Sequence, residues 1–98
     1  MKLSSKQQQF TKMIGCLIIF AYDRGYGLTF GDAFATDGHI VGSFHYKRLA
    51  VDFNLFIDGV YQTSSDAHLE LGEYWESIGG TWGGRFKKPD GNHYSLGE

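Results

Sequence analysis

The chain has 98 residues, 42% of them hydrophobic and 20% charged, which is enough for one domain spanning 1–98 and too few for two. Nine Lys and Arg against eleven Asp and Glu leave a formal net charge of -2, so neither a nucleic-acid nor an anionic-membrane binder is expected. A single cysteine, Cys16, excludes an intramolecular disulfide and points to synthesis in a reducing compartment.

Residues 5–24 read as an amphipathic helix. Phe10, Met13, Ile14, Leu17, Ile18 and Ala21 recur at helical spacing, while Gln7, Gln8, Lys12 and Asp23 occupy the other side. Ser4 or Ser5 can cap its start, and Gly25 or Gly27 can end it. The apolar run 13–22 follows three lysines, as a leader would, but its periodicity and shortness argue against both a signal peptide and a bilayer span. Cys16 on the apolar side of this helix is expected to be a buried, inert thiol.

Residues 28–35 mix β-formers and aromatics and predict a first strand, followed by a loop over 36–43. A clearer strand is predicted over 49–57, with Val51, Phe53, Leu55 and Ile57 on one face and Asp52, Asn54 and Asp58 on the other. Asp58-Gly59 is a hairpin signal, and 60–62 would return. Ser64-Ser65-Asp66 offers caps for a second helix over 68–78, in which Leu69, Leu71, Tyr74, Trp75 and Ile78 form the apolar side and Gly79-Gly80 the stop. Residues 81–92 read as glycine-rich and irregular. Residues 93–96 read as a short strand with His93 and Ser95 on one face and Tyr94 and Leu96 on the other. The predicted fold class is α+β, a small antiparallel sheet with helices packed on one side.

Two clusters could carry chemistry. His45 and Asp52 lie seven positions apart. Asp52 sits mid-strand in an apolar segment, where an ionised carboxylate needs a cation or strong donors. Zinc accepts carboxylate oxygen and imidazole nitrogen, and one further His would complete a three-ligand set. The second cluster, Asp90-Gly91-Asn92-His93, puts a carboxylate on a turn beside a strand-borne His. A carboxylate there can take a proton from water and pass it to a leaving amine; an ordinary Asn/Gly turn with Asp90 as turn-former fits the same residues. His68 reads as a cap or surface residue, His39 as a loop residue, and Trp82 as either cleft lining or core. HExxH and paired CxxC motifs are absent.

Together, Ser43-x-His45-x6-Asp52 and Asp90-Gly-x-His93 resemble the signature of the zinc D-Ala-D-Ala carboxypeptidases and L-Ala-D-Glu endopeptidases, which include phage endolysins. The runs 49–56 and 72–86 resemble phage members, and the similarity covers about 28–96. The resemblance implies that His45, Asp52 and His93 bind Zn2+ at a site on the sheet and that Asp90 is the general base. It implies hydrolysis of a peptidoglycan stem peptide by a zinc-activated water within a metal-site region of about 43–96. Ser43, Arg48 and Trp82 are the candidate substrate-binding residues. Ala35 departs from the pattern, because the family carries Arg in an aromatic-Arg-Thr/Ser run; Arg48 is the candidate stand-in. That departure leaves a second reading: a catalytically weak or inactive zinc-stapled relative that binds peptidoglycan or a protein partner. The expected partner is the stem peptide, with no nucleic acid and no membrane span, and the expected state is a monomer held in the cytoplasm until release to the wall at phage lysis.

Overall fold

The computed structural model describes residues 2–32 and 46–97. Helix α1 runs Leu3–Asp23. It begins earlier than the serines suggest, because Lys2 occupies the cap position without a side-chain bond and solvent satisfies the free amides of an exposed first turn. It ends where Gly25 adopts φ +81° and donates its N–H to the Tyr22 carbonyl. The buried side of α1 is Phe10, Met13, Leu17 and Ala21, four of the six apolar positions that the periodicity picks out. Cys16 is half-buried rather than buried.

Among the described residues, five strands form one antiparallel sheet: β1 (Tyr26–Phe30), β2 (Ala50–Ile57), β3 (Val60–Tyr61), β4 (Thr81–Trp82) and β5 (His93–Ser95). The main path runs β1-β2-β5-β4, and β3 returns along the end of β2 through the Asp58-Gly59 hairpin. Two expectations shift. Strand β1 starts at Tyr26 rather than at residue 28, so Gly27 lies inside the strand instead of ending the helix. Strand β4 falls within the stretch read as irregular; it pairs Thr81 with Ser95 and Trp82 with Tyr94. Residues 33–35 of the predicted first strand and the whole of the 36–43 loop lie outside the described residues.

A 3-10 turn, Ser65–His68, leads into helix α2, Leu69–Ser77. Ser64 caps this turn through Oγ, which accepts the Ala67 N–H at 3.2 Å. Both helices cover the same face of the sheet, as the fold class requires. Val51, Phe53 and Leu55 project from β2 into a core shared with Leu17, Leu71, Trp75, Trp82 and Tyr94. Trp75 is the centre of this packing. Its ring meets Phe10 and Tyr94 edge-on at 5.9 and 6.1 Å, and its Nε1–H donates to the carbonyls of Thr81 and Ser95. Burial of the Trp75, Tyr94 and Phe53 side chains contributes on the order of 2–3 kcal/mol each. On the rim, Glu70 of α2 accepts from Tyr26 Oη at 2.6 Å and pairs with Arg24 at 2.7 Å, tying the end of α1 to α2 and β1. No helix among the described residues is long and apolar enough to cross a membrane.

Candidate metal centre

The site grows out of one cross-strand pair. Strand β2 alternates as expected: Val51, Phe53 and Leu55 are buried, while Asp52 and Asn54 turn half-buried to the face away from the helices. Register sets Asp52 directly opposite His93 on β5. The flanking bonds, Phe53 N–H to the Asn92 carbonyl and Leu96 N–H to the Leu49 carbonyl, put Asp52 and His93 at a non-hydrogen-bonded position of the ladder. Opposed side chains approach most closely at such positions. The backbone of Asp52 is fixed from its other edge, where its N–H donates to the Asp32 carbonyl and its own carbonyl accepts from Gly31, both at 2.7 Å. The chain beyond Phe30 therefore continues to hold Asp52 after the strand itself has ended.

His93 is 5% exposed, with the Phe86 ring 5.3 Å from its imidazole. Its Nδ1 lies 3.5 Å from a buried Oδ1 of Asp52. That separation exceeds a good hydrogen bond. It is close to the roughly 3.3 Å between two ligand atoms that share a tetrahedral ion at about 2.0 Å. Asp90 completes the group. Asp52, Asp90 and His93 each offer one ligand atom, and these atoms lie within 4.8 Å of one another. Two carboxylates and an imidazole drawn together, one of them buried, form a donor set that a divalent cation neutralises, and oxygen with imidazole nitrogen suits zinc. On the donors described, the residues fit the metal.

The turn that carries Asp90 is held at every peptide group. Asp90 N–H donates to the Gly83 carbonyl at 2.9 Å, and His93 N–H donates to the Asp90 carbonyl at 3.1 Å. Gly91 N–H donates to Ser65 Oγ at 2.9 Å, and Trp82 Nε1–H donates to the Gly91 carbonyl at 2.7 Å. A Cβ on Gly83 would lie 2.3 Å from the Asp90 carbonyl oxygen and 2.7 Å from His93 Cβ, so the close approach of the Gly83–Arg85 turn to the site depends on glycine. Asp90 itself is exposed, open to solvent beside two inward-facing partners.

Behind this turn is a polar cavity of about 180 Å³, lined among others by Gln62, Thr63, Ser65, His68 and Asp90. His68 corrects part of the sequence reading: it stands at the N-cap position of α2 but makes no side-chain capping bond, and instead of facing solvent it is 2% exposed, with Nδ1 2.7 Å from Tyr94 Oη. Burial holds its imidazole down, from 6.5 to about 4, and pushes the Tyr94 phenol far above its usual range. Both groups are neutral at pH 7 and share a hydrogen bond beneath the site. A single His ahead of a helix carries no sign of this in the sequence, since its partner is 26 residues away.

Of the residues singled out by sequence, Asp52, Asp90 and His93 come together. Trp82 is buried in the core, its indole in close contact with Gly72 and Gly84. Arg48 is exposed at φ +58° in the turn before β2. It stands four positions before Asp52, at most roughly 13 Å at the rise of a strand. Lys47, next to it, is anchored to α1 through its carbonyl, which accepts from Gln7 Nε2 at 2.9 Å. His45, Ser43, His39 and Ala35 lie outside the described residues.

A protein-family model described as D-alanyl-D-alanine carboxypeptidase matches residues 36–96. The match covers more than half of the chain and contains His45, Asp52, Asp90 and His93. No curated protein matches the chain.

Proposed function

Because the chain belongs to the D-alanyl-D-alanine carboxypeptidase family of zinc-dependent peptidases, we propose that it hydrolyses a peptide bond of the peptidoglycan stem, either L-Ala-D-Glu or the terminal D-Ala-D-Ala. The observation that carries this reading is the convergence of Asp52, Asp90 and His93 within 4.8 Å inside the matched segment. His45, Asp52 and His93 would hold the zinc, and Asp90 would act as the general base. The ion, when bound, supplies Lewis acidity toward the scissile carbonyl and the attacking water.

The side chains of the protein divide the remaining work. Asp52 is fixed through its backbone by Gly31 and Asp32, which keeps its carboxylate aimed at His93 without spending side-chain freedom on catalysis. The Phe86 ring packs against the His93 imidazole at 5.3 Å and limits the room in which it can turn. The Asp90 carboxylate, exposed at the rim, takes a proton from the attacking water and returns it to the leaving amine nitrogen. Ser43 and Arg48 remain the proposed substrate contacts. Trp82 acts from beneath, through the Gly91 carbonyl. The protein is proposed to work as a monomer, held in the cytoplasm until phage lysis brings it to the wall.

The test is zinc analysis combined with digestion of synthetic stem peptides. The expected result is stoichiometric zinc in protein purified without chelators and one cleaved bond, identified by mass. Protein without zinc affinity would overturn the reading.

A further inference from the structure

Ser65 and Trp82 reach the Asp90 turn from two different parts of the chain, and each bonds one of two consecutive peptide groups. Ser65 Oγ accepts the N–H of the Asp90–Gly91 peptide, and Trp82 Nε1–H donates to the carbonyl of the Gly91–Asn92 peptide. The turn is also pressed against the Ser65 backbone: a Cβ on Gly91 would lie 2.5 Å from Ser65 Cα. Ser65 is not needed to start its own 3-10 turn, because Ser64 already caps it. Its hydroxyl serves a residue 26 positions away instead.

We infer that Ser65 and Trp82 are positioning residues for the reaction, a two-point clamp on Gly91 that holds the Asp90 carboxylate at its place beside Asp52 and His93. The inference rests on the reading of Asp90 as general base. With the peptide before Asp90 bonded to Gly83 and the peptide after it bonded to Ser65, the backbone of Asp90 cannot rotate to swing its side chain away without breaking a bond. Trp82 is buried in the core and acts only through the turn, and Ser65 acts through its bond to Gly91. Their contribution is a preorganised base, and misplacement of a catalytic group by about 1 Å costs on the order of 100-fold in rate.

The experiment uses zinc-loaded full-length wild type, Ser65→Ala, Ser65→Thr, Trp82→Phe and Asp90→Asn. Three quantities are measured in each: the Gly91 amide exchange rate by NMR, the zinc content, and kcat and KM on a stem peptide. In Ser65→Ala, Gly91 exchange is expected to rise and kcat to fall, each about tenfold, with KM and zinc content unchanged. Ser65→Thr, which keeps the hydroxyl, restores both. Trp82→Phe keeps a ring in the core and lowers kcat in the same way. Unchanged Gly91 exchange in Ser65→Ala overturns the clamp, whatever Asp90 does. Faster exchange with full kcat overturns the positioning role. Full activity in Asp90→Asn removes the general-base reading and the positioning role with it, while the exchange data still report whether the clamp exists.

Discussion

Asp52 and Asp90 are the same chemical group in different surroundings, and the roles proposed for them follow from that difference. Asp52 has a buried carboxylate oxygen and a backbone bonded at both N–H and carbonyl; Asp90 is exposed on a turn. Removing a ligand and removing a base should therefore be separable. Asp52→Ala and His93→Ala are expected to lose zinc. Asp90→Asn should keep it and lose about 10²–10⁴ in kcat, as read by metal analysis beside a peptide assay. Loss of zinc in Asp90→Asn would place Asp90 among the ligands instead. His68 gives a prediction of another kind. Its pKa is about 4 in the fold and 6.5 when unfolded, so between those values the unfolded chain binds the additional proton. The contribution of neutral His68 is complete above pH 6.5 and is lost as pH falls toward 4, by at most about 3 kcal/mol. Urea midpoints at pH 7 and pH 5 should differ more for wild type than for His68→Gln; an equal difference would contradict the assignment.

At the scale of elements, β2 was the most legible part of the sequence. Five residues of alternation around Asp52, from Val51 to Leu55, within an eight-residue strand ended by Asp58-Gly59, specify a strand, its faces and its hairpin. From these follow the polar face and the candidate Asp52. The α1 stripe was legible for the same reason, since 21 residues hold several periods. Strand β4 has two residues, too few to display a period, and exists because Trp75 Nε1–H donates to its Thr81 carbonyl and β5 pairs with it. Ser65 was read as a cap, but two adjacent serines cannot both cap one turn, and which of them is diverted to Gly91 depends on contacts 26 residues apart. The glycines around the site were visible only as turn-formers. Their tolerances are structural: Gly91→Ala and Gly83→Ala would drive a Cβ into backbone atoms of Ser65 and Asp90. Each should cost about 1–3 kcal/mol and reduce activity more than stability alone explains, as paired melts and peptide assays would show. Leu17→Ala, in the fully buried stripe of α1, should cost about 2–5 kcal/mol and leave the zinc affinity of the folded protein intact.

For the molecule as a whole, the helices and the candidate metal centre occupy opposite faces of one sheet. Leu17, Trp75, Phe53 and Tyr94 form the core on one face, and Asp52 and His93 meet on the other. This division lets Asp52 and His93 stay half-buried to buried without interrupting the core. Under the proposed function, metal binding and folding would be linked, because Asp52 and His93 come together only when β2 and β5 pair. Zinc at about 1,000 times its dissociation constant should stabilise the fold by about 4 kcal/mol. Chelation should lower the melting temperature of wild type and leave that of Asp52→Ala unchanged. Fourteen glycines in 98 residues are roughly twice the usual share, and several of them allow chain segments to close around the Asp90 turn. The most direct test of the account is the mass spectrum of a defined stem peptide after incubation with zinc-loaded wild type, with Asp90→Asn as the parallel sample. The account predicts cleavage of one peptide bond by wild type and an intact peptide with the variant; a wild-type protein that holds zinc and leaves every stem-peptide bond intact would contradict it.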